Sequence, residues 1–182
     1  MSSIKYITID VETTGLSLIT DVPIQVAFQA RSAKGDLRSE GMWYHKIDKP
    51  LPKIITEITA ITDKTLNEEG VSLLEGTKKY NQLIWGNQPA VLLGYNIINF
   101  DQPIIQNWLY NYRQVGNKFP FPPVMQIIDV MQLCSIYFKT KKWLKQSEAA
   151  RRLGLDFDPK KLHDASYDID LCWRIFWKLE SL

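Results

Sequence analysis

Cysteine is nearly absent from this 182-residue chain: Cys134 and Cys172 are the only two. They lie far apart with no CxxC pair, which argues against a disulfide-stapled secreted scaffold and against a zinc finger. The only histidines, His45 and His163, stand at no zinc-ligand spacing from either cysteine. The cysteines read instead as helix packing in a reducing, cytoplasmic setting. No apolar run approaches the roughly 18 residues of a membrane span, and Ser2 and Ser3 lead into a strand-like segment without a signal-peptide pattern. An excess of one charge is missing too. Lys and Arg total 22 against 20 Asp and Glu, a net +2, so no overall basic field announces a nucleic-acid partner, and none is excluded. Internal repeats, low-complexity tracts and linkers are also lacking. What is present is a globular composition, 45% hydrophobic and 23% charged. The length suits a single domain over residues 1–182.

Residues 4–10 are β-rich and run into Thr13, Thr14 and Gly15, a strand opening into a turn. Further strands are expected over 24–30 and 39–47, so the first three form a meander. Apolar residues recur at helical spacing over 71–85, between Gly70 and Gly86. A continuous apolar run over 90–95 reads as a buried strand, followed by a helix from 102 to about 113. Gly and Pro make 116–123 a loop. Beyond it a strand over 124–128 and helices over 130–137, 147–153 and 165–179 are expected, with Gly154 stopping the second of these helices. Strand, helix, strand is α/β architecture.

The chemistry is suggested by where acids fall on these elements. Asp10 and Glu12 are two residues apart near the end of the first strand, and a period of two puts both on one face. Two anions there repel, and bound divalent cations are the most direct compensation; alone, the pair is weak evidence and favours a solvated strand end. Asp101 opens a helix just after the buried strand, where it can be an N-cap or a ligand. His163 and Asp168 would diverge on one continuous helix, because five residues turn through about 140° at 3.6 residues per turn. They converge only if His163 lies in the loop ahead of a helix capped by Asp164.

Together these residues resemble a family. Asp10-Val11-Glu12-Thr13-Thr14-Gly15, Gly94-Tyr95-Asn96 with Phe100-Asp101, and His163 with Asp168 look like the three motifs of the DnaQ-like DEDDh 3′→5′ exonucleases, in the family's order and spacing. Smaller echoes are Ile58-Thr59-Ala60-Ile61-Thr62, Asp129 beside Val130, and the stretch from Glu148 to Gly154. The step from Asn96 to Asp101 is one residue longer than the commonest proofreading form. It is more similar to exonuclease I and to family B polymerase exonuclease domains, although those polymerases carry tyrosine where His163 stands.

The resemblance implies an RNase H-like α/β fold: a mixed sheet, with a three-strand antiparallel meander plus parallel strands, flanked by helices. It implies that Asp10, Glu12, Asp101 and Asp168 hold two Mg²⁺ or Mn²⁺ ions, which prefer oxygen ligands, and that His163 is the general base. Terminal phosphodiesters would be hydrolysed to nucleoside 5′-monophosphates. Thr13, Thr14, Gly15 and Leu16 would meet the terminal nucleotide, and Asn96 and Phe100 would neighbour the strand path, Phe100 being equally readable as core. The implied partner is a nucleic acid with a free 3′ end, DNA ahead of RNA, in the setting of a DNA polymerase or another replication or repair protein. A catalytically silent end-binding module on the same fold is the rival of another class. Residues 139–161 hold 8 basic and 3 acidic side chains, with Trp143 set among Lys139, Lys141, Lys142 and Lys145. That interleaving suits a single strand, and suits a solvated loop and helix face as well. Trp173 and Trp177 read as core packing.

Overall fold

A computed structural model describes residues 5–112 and 124–182. The loop expected over 116–123 lies outside the described residues. Five strands form one mixed sheet in the order β3-β2-β1-β4-β5: β1 Lys5–Thr13, β2 Pro23–Ser32, β3 Leu37–Tyr44, β4 Ala90–Gly94 and β5 Gln126–Asp129. β1 pairs antiparallel with β2 and β2 with β3, the expected meander, while β4 joins β1 and β5 joins β4 in parallel. Among the described residues seven α-helices flank the sheet: α1 Lys53–Thr59, α2 Asp63–Glu69, α3 Leu73–Gly86, α4 Asp101–Asn111, α5 Val130–Tyr137, α6 Gln146–Arg152 and α7 Ala165–Glu180.

Most boundaries shift by a residue or two from expectation, and three differences matter more. β1 runs on to Thr13, so Asp10 and Glu12 lie inside the strand rather than at its end. The third strand stops at Tyr44, three residues early; His45 beyond it still donates its N–H to the Ile24 carbonyl at 2.9 Å and forms an isolated bridge with Val71. Residues 53–69 form two helices where none was expected. Each has only seven residues, two turns, too short for an apolar stripe to show.

The alternation along β1 decides which layer each residue meets. Ile7, Ile9 and Val11 are buried in the core shared with Ile84, Ile105 and Trp108 of α3 and α4. The intervening positions face the opposite layer. There Tyr6 packs against a second core built from α5, α6 and α7, with Trp173 and Phe176 at its centre. Asp10 and Glu12 share the alternation of Tyr6 and therefore lie on the face that α7 covers. Two small residues let that helix come close. Ala27, the cross-strand partner of Asp10, and Ala165, the first residue of α7, are both fully buried and pack together with Ile169.

On the α3 face, His45 is sealed in the core. Its Nδ1 donates to the Pro23 carbonyl at 2.8 Å, and its Nε2 accepts from the Trp43 indole at 2.9 Å. Burial pushes the imidazole down to about 4, so it packs as a neutral ring. Both ring nitrogens are thereby engaged away from either cysteine; Cys134 and Cys172 are free and buried in α5 and α7. Gly76 of α3 makes room for this ring, since a Cβ there would lie 1.9 Å from His45 Nε2. Gly76→Ala gains about 1 kcal/mol of helix propensity but forces the ring aside, and overpacking of this kind costs about 1–3 kcal/mol. A net loss is expected, read as a lower urea midpoint with an unchanged m-value.

Candidate active site

β1 outruns its parallel neighbour. β4 pairs with it only from Lys5 to Thr8, which leaves the following backbone donors on that edge without a strand. Asp101 takes one of them: its Oδ1 accepts from Val11 N–H at 3.1 Å, between the two acids of β1. Asp101 is the first residue of α4 and is buried. The turn leading to it leaves β4 at Gly94, where a Cβ would stand 2.7 Å from the Ile97 Cβ. It then passes through Asn96 in a left-handed conformation, φ 66°. Asp129, buried at the end of β5, fixes this turn. Its carboxylate accepts from Asn96 N–H at 3.1 Å and Ile98 N–H at 3.2 Å, and it caps α5 by accepting from Met131 N–H at 3.0 Å.

The third piece comes from α7. Asp164 is its N-cap, accepting from Tyr167 N–H, and His163 lies just ahead at φ 69°. That is the arrangement the sequence required for His163 and Asp168 to converge. The convergence runs through the backbone: His163 N–H donates to Asp168 Oδ2 at 2.9 Å, while the His163 residue itself is exposed.

Carboxylate oxygens of Asp10, Glu12 and Asp168 lie within 4.8 Å of one another. Asp101 is not in that triple; it stands behind it, close enough to raise the proton affinity of Asp10 and Glu12. The implied cations fit these residues. Asp168 Oδ1 is buried with no hydrogen-bond partner, and a donor set made only of carboxylate oxygens suits hard divalent ions. Burial is the main electrostatic cost. It pushes Glu12 up to about 7, with Asp168 and Asp101 adding repulsion. Asp101 rises to about 7 through burial, opposed by the Val11 N–H. Asp168 rises to about 6, again through burial, opposed by the N–H and charge of His163. Asp10 is held well above the ordinary carboxylate range by burial and then by Asp101, Glu12 and Asp168.

The residues expected to meet the terminal nucleotide lie along the exit from β1. Thr13 is buried and donates to the Gly15 carbonyl at 2.5 Å. Thr14 donates to Asp21 Oδ1 at 2.7 Å, and Gly15 admits that same carboxylate, since a Cβ would fall 2.6 Å from Asp21 Oδ2. Leu16 projects into solvent at 82% exposure. Asn96 accepts on Oδ1 from Asn99 and Phe100 is half-buried at the head of α4, both flanking Asp101. A cleft of about 760 Å³ opens beside His163, between the end of α1 and the start of α7. Sequence reasoning noticed Asp129 only as an echo and missed its role; an Asp directly before an apolar helix is an N-cap signal that could have found it.

Sheet order and acid placement together define an RNase H-like nuclease fold. The family model RNase_T, described as Exonuclease, matches residues 7–176, and the chain belongs to this DnaQ-like exonuclease family. DNA polymerase III PolC-type of Mycoplasma genitalium is 32% identical over 180 residues, covering 97% of this chain and 11% of that protein. Its counterpart in Mycoplasma pneumoniae is 30% identical over 172 residues, covering 94% and 11%. The chain thus spans about a tenth of the length of the curated relatives it matches. Among solved structures, E. coli exonuclease I in complex with a dA16 oligonucleotide superposes with a TM-score of 0.81 at 17% identity, over 97% of this chain and 41% of that one. The same enzyme with a 5cy-dT13 oligonucleotide gives 0.83 at 16% identity, over 99% and 41%. At those identities the likeness is one of fold. No helix among the described residues is long and apolar enough to cross a membrane.

Raised carboxyl pKa values give a definite sign. Between pH 7 and about 4 the folded chain binds more protons at these four acids than the unfolded chain does, so acidification stabilises it. His45, neutral when folded, works the other way below 6.5, one group against four. In chelator the melting temperature should therefore rise from pH 8 to pH 5.5. Excess Mg²⁺ or Mn²⁺ should raise it at pH 8 and have less effect at pH 5.5, while Asp10→Asn should raise it in chelator and blunt the metal response. Scanning calorimetry checks all three.

Proposed function

We propose that residues 1–182 act as one metal-dependent 3′→5′ exonuclease domain that hydrolyses the terminal phosphodiester of single-stranded DNA and releases nucleoside 5′-monophosphates. The observation that carries this reading is the triple of Asp10, Glu12 and Asp168 oxygens within 4.8 Å, with Asp168 Oδ1 buried and unpartnered. Asp10, Glu12, Asp168 and Asp101 would hold two Mg²⁺ or Mn²⁺ ions. When bound, these ions supply positive charge that lets the acids ionise and that polarises water and phosphate. The chain's own residues do the rest. His163, exposed at the mouth of the cleft, accepts a water proton on an imidazole nitrogen. The water oxygen bonds to phosphorus as the bond from phosphorus to the neighbouring 3′ oxygen breaks, and that oxygen takes a proton from solvent to leave a 3′ hydroxyl on the shortened strand. The His163 N–H holds Asp168 and the Val11 N–H holds Asp101, so neither ligand must reorganise. Thr13, Thr14, Gly15 and Leu16 line the terminal nucleotide, and Asn96 and Phe100 flank the strand.

The PolC-type relatives favour a second reading of context: the domain trims ends for a DNA polymerase or another replication partner in the cytoplasm. RNA is the rival substrate, because acceptance of the 2′ hydroxyl depends on contacts near the terminal sugar.

An end-labelled oligomer incubated with Mg²⁺ should lose single nucleotides from its 3′ end, and chelator should stop the loss. DNA should be degraded faster than RNA of the same sequence; the reverse order would transfer the assignment to a ribonuclease. Asp10→Ala and Asp168→Ala should abolish release while leaving the fold intact, and His163→Ala should lower kcat by about 10²–10⁴-fold. Strong residual hydrolysis in Asp168→Ala would count against the assignment.

A further inference from the structure

The segment 139–145 leaves a tryptophan and four lysines with nothing in the described chain to hold them. Trp143 is 62% exposed, although an indole of this size gains more from burial than almost any other side chain. Lys139, Lys141, Lys142 and Lys145 are exposed, and among the described residues none stands within ion-pair distance of a carboxylate. Ile136 and Tyr137, at the end of α5, are exposed as well. Ile136, Lys139, Lys141 and Trp143 line an open groove of about 480 Å³.

This patch is tied to the acidic site at two points. Tyr95, where β4 ends, donates its hydroxyl to the Leu144 carbonyl at 2.8 Å, and the Gln146 amide donates to the Asp168 carbonyl at 2.7 Å. Trp143 is three residues from Gln146, at most about 11 Å of extended chain. The groove is thus held close to the backbone that carries two of the site's elements.

We propose that residues 139–145 form a second contact for single-stranded nucleic acid, gripping the strand on the 5′ side of the nucleotide being removed. Lysines without partners complement phosphates, and an exposed ring offers a face on which a base can stack without regard to sequence. A structural role accounts poorly for the same residues, since the loop's packing is supplied by buried Leu144 rather than by Trp143. The inference rests on the proposed exonuclease reading for its polarity along the strand; binding as such does not require hydrolysis.

The test uses Trp143→Ala and the double variant Lys141→Glu/Lys142→Glu in the full chain, with dT oligomers of about 4 and 25 nucleotides. Anisotropy in chelator reads binding, and Mg²⁺-dependent release reads cleavage. Affinity for the long oligomer should fall about ten-fold in either variant, and its KM should rise alike, with kcat and cleavage of the short oligomer unchanged. In the double variant the slope of log affinity against log salt should shrink by about 1.4, two phosphate contacts on a single strand. Unchanged binding and KM for the long oligomer in both variants overturn the inference, leave the exonuclease reading standing and assign the patch to a protein partner. Weakened binding by the variants of a chain that hydrolyses nothing supports the contact and overturns the exonuclease reading instead.

Discussion

Crowding of carboxylates beneath the first turn of α7 is the constraint on which the rest of this structure turns. Like charges in a partly dry site cannot all ionise unless something positive joins them. The chain supplies only partial compensation: backbone N–H groups of Val11, Asp101 and His163, the His163 side chain, and the N-terminal end of the 16-residue helix α7, where Asp168 sits in the first turn. These donors orient the acids more than they neutralise them. Glu12 and Asp101 remain up near 7 and Asp10 higher than an ordinary carboxyl, so the metal-free arrangement is poised for cations rather than satisfied without them.

The fold tolerates that unfavourable centre because its surroundings are over-determined. β1 lies in the middle of the sheet, with apolar residues of one parity buried under α3 and α4 and acids of the other parity under α7. The core contacts of Ile7 and Ile9 therefore fix the height and direction of Asp10 and Glu12. Ala27 and Ala165 set how closely α7 approaches, and Asp129 anchors the turn that delivers Asp101. Each of the four acids is thus aimed by packing or by backbone hydrogen bonds, and the His163 residue is left at the surface.

Much of this was legible in the sequence because it is local. A period of two put Asp10 and Glu12 on one face, and the angle between His163 and Asp168 forced the histidine into the loop ahead of α7; the structure bears out both. The β-rich runs and turn residues announced the meander, and order and spacing of the acids pointed to the exonuclease family. What escaped notice depends on distant partners. The Asp101 bond to Val11 spans 90 residues and the Asp129 bond to Asn96 spans 33, and no periodicity encodes either. α1 and α2 escaped for a different reason. α1 buries none of its residues and α2 only Leu66, so neither displays a stripe; α2 is capped by Thr62 and lies beside β3, whereas α1 has no side-chain N-cap and ends on Ala60 in the left-handed conformation.

An anionic centre proposed to act on a polyanion faces a difficulty beyond its own stability. Until cations join it, the acid cluster would repel the phosphates of such a strand, and a net charge of +2 over the whole chain is too small to overcome that at a distance. Attraction has to be local and set apart from the acids. Residues 139–161 carry a net +5, and Lys139, Lys141, Lys142 and Lys145 among them project from a loop pinned to Tyr95 and to the helix of Asp168. Separating the charges in this way would let the proposed strand be held by lysines and a ring while its end meets carboxylates carrying cations. Placing the same lysines among the acids would pair the two sets off and leave neither free for its task.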